Sequence, residues 1–215
     1  VTGWSMAGCQ AYQWAAQYPE MVDAILPFCS SAKISPHNFV FLEGVKAALC
    51  ADQNWKKGLY KSPPINGLKA FARVYAGWAF SQTFYRKELY KNLGYNTVED
   101  LLLDWEDDHV KNWDANNLLS KLNTWQLNNI SLGPAYQNNY IKALNSIKAK
   151  TIIICCSEDL YFRYEDNLFE SRYIKNSEVK VFNSPYGHCV ANPGNDSNFK
   201  NELDKNIYSL LKNNI

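Results

Sequence analysis

The sequence predicts an α/β protein, a mostly parallel sheet interrupted by one long helical insertion. Three observations predict it. Short apolar, β-branched runs alternate with amphipathic stretches near both ends of the chain, the pattern of parallel βαβ construction. The long middle stretch from Ser30 to about Ile130 carries Trp, Tyr, Leu, Ala and Lys at helical spacing and no strand. A small-residue string, Gly3-Trp4-Ser5-Met6-Ala7-Gly8, falls at a strand-to-helix junction. The expected division is a core of residues 1–32 and 131–215 with a helical insertion over 33–130, and 215 residues suffice for one domain so built.

In chain order, residues 1–4 read as the end of a strand. A helix from Met6 to about Tyr18 follows, broken by Pro19 and Glu20. Asp23 to Cys29 is a short apolar run and reads as a buried strand. The middle helices are punctuated at Pro63-Pro64, Gly67 and Gly94. Thr151 to Cys156 is a strand of β-branched residues, Tyr164 to Ile174 a helix and Val179 to Phe182 a further strand. Phe199 to Leu211 closes the chain as an amphipathic helix, with Leu203, Ile207, Leu210 and Leu211 at helical spacing.

Composition narrows the function classes. At 47% hydrophobic and 20% charged residues, wholesale disorder is excluded. Twenty-two basic against 21 acidic residues leave no basic field to hold a nucleic acid or an anionic membrane, so the expected partners are small molecules. No apolar run is long enough to span a bilayer. The six cysteines include no CxxC pair and no His/Cys cluster at zinc-ligand spacing, which predicts reduced thiols in a cytoplasmic protein without a metal. The chain opens on Val1 inside a strand end and therefore reads as the C-terminal part of a larger domain whose first strands lie outside it.

The chemistry concentrates at three positions. A serine at a tight strand-to-helix turn is lifted out of the sheet, small flanking residues let strand and helix approach, and the helix N-terminus offers amides to a developing oxyanion. Ser5 has that context, with the Met6 amide as one oxyanion donor. Serine needs a base, and the base an orienting acid. Asp159 follows the Thr151–Cys156 strand and His188 follows the Val179–Phe182 strand, both at the strand ends where ligands bind parallel sheets. Glu158 competes with Asp159 as the acid. Cys189 is set aside as a nucleophile because a serine already holds the turn. His37 and His109 read as surface residues, and Glu99, Asp100, Asp104, Glu106, Asp107 and Asp108 as a solvated helix face.

These residues resemble the homoserine O-acetyltransferase family of the α/β-hydrolase superfamily. Gly3-Trp4-Ser5-Met6-Ala7-Gly8, Gln10-Ala11 and Tyr18-Pro19-Glu20 match the family's G-x-S-M-G-G…Q-A…Y-P-E, with Ala7 departing from its glycine. Gly67-Leu68, Ala72-Arg73, Trp113-Asp114-Ala115-Asn116, Asp159-Leu160-Tyr161-Phe162 and Gly187-His188 continue it in order. The resemblance implies an α/β-hydrolase fold and an acyltransferase. Ser5 would take an acyl group from acetyl-CoA, a substrate rather than a cofactor, with His188 as base and Asp159, preferred over Glu158, fixing the imidazole. Arg73 would bind the acceptor's carboxylate, the helical insertion would form a lid and acyl-donor tunnel, and a homodimer would form through that lid. Two departures bear on the reading. Cys189 stands where the family has an aspartate for the acceptor's ammonium group, and a neutral thiol does not compensate that charge. The strands that precede the turn, one of whose loops supplies the second oxyanion amide, are missing from this chain. An esterase or thioesterase using the same triad is the first alternative to transfer, and a truncated non-catalytic pseudoenzyme the second.

Overall fold

The computed structural model describes residues 1–212 and divides them into two compact units, residues 1–35 with 128 onward, and residues 36–127. The first unit holds a four-stranded sheet, β1 (Thr2–Trp4), β2 (Ala24–Phe28), β3 (Lys150–Cys156) and β4 (Ser177–Phe182), in that spatial order and parallel throughout. A parallel pair needs a crossover. α1 (Met6–Gln17) joins β1 to β2, and α8 (Tyr164–Ser171) joins β3 to β4. This is the parallel α/β sheet that the strand and helix pattern predicts, in the α/β-hydrolase fold that the family resemblance implies.

Isoleucines explain β3. Thr151 to Ile154 are β-branched, stiff at χ1, and suited to a pleated surface. Alternation sends them to two different cores. Ile153 joins Ile25, Tyr12, Ala15, Leu144 and Ile174 on one face, whereas Ile152, Ile154 and Cys156 join Leu26, Phe199 and Leu210 on the other. Burial of both faces is what permits an all-parallel sheet, and each such side chain contributes about 1.5–3 kcal/mol. The register Trp4↔Phe28, Phe28↔Ile154 and Cys156↔Phe182 brings the carboxyl ends of the four strands to one edge.

Several boundaries differ by local chemistry. The helix expected to reach Ile174 ends at Ser171, because Ser177 Oγ draws the Ser171 and Ile174 carbonyls into the turn before β4. A short helix, α7 (Tyr140–Asn145), forms in addition to the expected elements; Asn139 caps it. Lys33 and Asn129 form an antiparallel bridge. α9 (Ser197–Lys212) packs by Phe199 and Leu210.

The second unit is helical: α2 (Pro36–Cys50), α3 (Ile65–Ala79), α4 (Gln82–Arg86), α5 (Val98–Asn112) and α6 (Ala115–Gln126). α3 packs on α2 and α5, and α2 on α6. α5 starts with a reciprocal cap between Thr97 and Asp100, and α6 with Asp114. The acidic stretch on α5 is not wholly a solvated face. Glu106 is 6% exposed and accepts from Arg73 and Lys69 of α3. His109 is likewise not a surface residue. It lies buried beside Phe71 and Trp105 with Nδ1 on the Trp105 carbonyl, and burial lowers its pKa. His37 is exposed, as expected. Among the described residues no helix is long and apolar enough to cross a membrane.

Candidate active site

Ser5 occupies the turn between β1 and α1 at φ 58° and ψ −125°. A residue with a side chain rarely adopts that backbone, and holding it there costs about 1–3 kcal/mol. The turn is pinned from both sides. The Ser5 amide donates to the Phe28 carbonyl at 3.1 Å, and the Ser5 carbonyl accepts from Cys9 at 3.0 Å, the first bond of α1. The hydroxyl does not cap its own helix, unlike most serines in that position. Two glycines make the turn possible. A Cβ on Gly3 would lie 2.5 Å from the Ala7 methyl, and one on Gly8 would overlap the Ser30 hydroxyl. Ala7 therefore fills the space that Gly3 leaves open.

Met6 is the first residue of α1, so its amide has no acceptor inside the helix. The first turn carries no acidic side chain, leaving the positive end of the helix dipole uncompensated.

Asp159 sits in the turn after β3 and is fully buried. Its Oδ1 accepts the Tyr161 and Phe162 amides at 2.7 and 3.1 Å, and its Oδ2 meets His188 Nδ1 at 2.8 Å. Arg163 donates to the Ser157 and Asp159 carbonyls, bracing the same turn. A carboxylate oxygen only accepts, so in the neutral imidazole His188 Nδ1 carries the proton and Nε2 keeps its lone pair. Glu158, the competing acid, is not the partner of His188. The imidazole is 6% exposed and enclosed by rings: Trp4 stacks on it at 5.3 Å between centroids, with Tyr161 and Phe162 at 4.7 and 5.6 Å. Trp4 immediately precedes Ser5, so β1, β3 and the loop after β4 bring the three singled-out residues to the same sheet edge.

Cys189 is buried beside His188, and burial, reinforced by the Asp159 charge, pushes its thiol up to about 12. It is neutral at physiological pH. All six cysteines are free thiols. Arg73 belongs to the helical unit, where its guanidinium donates to Glu106 and, through two nitrogens, to Glu99 at 3.1 and 2.6 Å. Among the described residues no cluster of three or more His, Cys, Asp or Glu is arranged to hold a metal.

Sequence reasoning did not find the Trp4 stack or the two amides that hold Asp159. The ring run Tyr161-Phe162 after the acid was its only available signal.

No protein-family model matches the chain. An ethyl acetate hydrolase of Pseudomonas veronii is 32% identical over 98% of this chain. A homoserine O-acetyltransferase of Chloroherpeton thalassium is 29% identical over 87% of the chain and 50% of its own length. The crystal structure of an acetylester hydrolase from Corynebacterium glutamicum superposes with a TM-score of 0.92 at 30% identity over 99% of this chain. The chain spans about 60% of the length of the esterase relatives it matches. Its homologues thus include both esterases and homoserine O-acetyltransferases, and the esterases are the more similar of those named here.

Proposed function

We propose that the protein is a serine ester hydrolase acting on small carboxylic esters, acetyl esters above all, through Ser5, His188 and Asp159. The observation that carries this reading is the uncapped Ser5 hydroxyl in a turn held at positive φ, at a helix N-terminus and next to the residue that stacks on His188. The similarity to an ethyl acetate hydrolase and an acetylester hydrolase supports the substrate class.

Ser5 Oγ attacks the ester carbonyl carbon while His188 Nε2 takes its proton. The Met6 amide donates to the oxyanion of the tetrahedral intermediate. Collapse breaks the bond to the alcohol, which leaves with the proton from His188, and Ser5 is acylated. Water then attacks the acyl-enzyme with His188 again as base, releasing the carboxylic acid and restoring Ser5. Asp159 keeps the proton on Nδ1 throughout and stabilises the imidazolium.

Acyl transfer from acetyl-CoA to homoserine is the second reading, supported by the acetyltransferase relatives. Two observations weigh against it. Cys189 offers no charge to an acceptor's ammonium, and Arg73 already has two carboxylate partners. The test has two stages. A fluorophosphonate probe should label Ser5, and Ser5→Ala should abolish both labelling and ester cleavage. Acetate release from p-nitrophenyl acetate or ethyl acetate without any alcohol acceptor supports the hydrolase. Acetylated homoserine formed from acetyl-CoA, with negligible acetate release, would replace it with the transferase.

A further inference from the structure

Next to the nucleophile turn lies a buried polar cluster that the ester mechanism does not use. Its centre is Glu170 of α8, 1% exposed. Glu170 Oε1 accepts the Ala32 amide and the Tyr140 hydroxyl, both at 2.8 Å. Oε2 accepts from Asn167 Nδ2 at 3.0 Å, and the same amide nitrogen donates to the Ser30 carbonyl at 2.8 Å. One turn of α8 thus grips the segment after β2 at two points, Ser30 and Ala32.

That segment is itself strained and abuts the nucleophile. Cys29, fully buried, stands at φ 46°. Its neighbour Phe28 is the strand partner of Trp4, and the Phe28 carbonyl receives the Ser5 amide. The Ser30 side chain fills the space over Gly8 of α1. Two non-glycine residues at positive φ therefore sit at the ends of adjacent strands, and such conformations persist only when the surroundings over-determine them.

We infer that Glu170 is a positioning residue for the nucleophile: with Asn167 it clamps the Ser30–Ala32 segment against α1 and so holds the Ser5 turn in its reactive geometry. This rests on Ser5 being the nucleophile. The groups facing Glu170 are Cys9 and Tyr12 from α1, Tyr140 from α7 and Asp166 on its own helix, with Lys33 over the Tyr140 ring at 5.5 Å. No Lys or Arg pairs directly with Glu170 among the described residues, and burial pushes it up to about 7.

Glu170→Gln keeps the shape but places an amide N–H₂ against either Asn167 Nδ2 or the Ala32 amide, donor against donor. The expected result is a kcat on p-nitrophenyl acetate lowered roughly 10–100-fold, the range that a small misplacement of reacting groups produces. KM should stay nearly constant, and the rate of fluorophosphonate labelling at Ser5 should fall by the same factor. Tyr140→Phe, which removes a Glu170 partner without touching the clamp, should leave kcat near wild type. Asn167→Ser cuts the clamp from the other side and should reproduce the kcat loss, so the inference stays testable if the Gln variant does not fold. The acid limb of log kcat against pH should lose one ionisation in Glu170→Gln. A folded Glu170→Gln or Asn167→Ser protein with wild-type kcat and labelling rate overturns the inference, as does an unchanged acid limb in Glu170→Gln. An equal kcat loss in Tyr140→Phe points to general core damage and overturns it too. Failure of the underlying reading looks different, because the wild-type protein itself would then go unlabelled at Ser5.

Discussion

The two units treat a buried carboxylate in opposite ways. In the helical unit, Glu106 meets two cations, Arg73 and Lys69, and staples α3 to α5. In the sheet-bearing unit, Asp159 and Glu170 are at least as buried, yet their direct partners are backbone amides, an imidazole, a hydroxyl and a side-chain amide. A carboxylate neutralised by guanidinium and ammonium has nowhere to send its charge, and its work is structural. A carboxylate held by neutral donors and an imidazole can respond when a proton moves nearby. The contrast separates an acid that staples two helices from acids that hold the segments around the candidate site.

Asp159→Asn gives the largest effect that would break this contrast. The substituted amide must turn an N–H₂ toward the Tyr161 and Phe162 amides or toward His188 Nδ1–H. The wrong histidine tautomer then follows, and ester turnover should fall by about 10⁴-fold while circular dichroism stays native. Turnover within tenfold of wild type would place Asp159 among the structural acids.

Next in size is a pH effect on stability at Glu170. Its pKa in the folded protein is raised to about 7 from the ordinary glutamate value of 4.5, mainly by desolvation. The folded state therefore keeps its proton where the unfolded state has lost it. Stability from this group is fully present below about pH 4.5 and is lost as pH rises through about 7, a change on the order of 3 kcal/mol. The melting temperature of wild type minus that of Glu170→Gln should fall between those two pH values and then level off. A difference that is flat from pH 4.5 to 8 would overturn a raised pKa at Glu170.

Glu106→Ala sharpens the comparison from the other side. The cations it leaves behind are about 40% exposed and recover hydration, so the loss should be only about 1–3 kcal/mol by chemical denaturation, below the full penalty for an orphaned buried charge. Ester turnover per folded molecule should be unchanged.

Much of the fold was legible because parallel strands buried on both faces must be short and β-branched, and Thr151–Cys156 is nearly that pattern alone. The turn at Ser5 was legible for a related reason, since only small residues tolerate so close a strand–helix approach. What stayed hidden was pairing at long range. Nothing near Glu106 in the chain marks it off from Asp104 or Asp107, and its burial is decided by two α3 cations more than 30 residues earlier. Glu170 was invisible for the same reason, since its acceptor role is set by Ala32, 138 residues away. The α7 helix was missed because six residues carry too little periodicity to register.

The cysteines have a practical consequence. Five of them, Cys9, Cys29, Cys155, Cys156 and Cys189, lie buried in the sheet-bearing unit, and burial keeps each protonated. Cys50, partly exposed, is the helical unit's only cysteine. Alkylating reagents consume thiolates, so a timed pulse of iodoacetamide followed by mass spectrometry clocks the opening of the sheet-bearing unit through its five buried thiols, with the partly exposed Cys50 as the accessible reference.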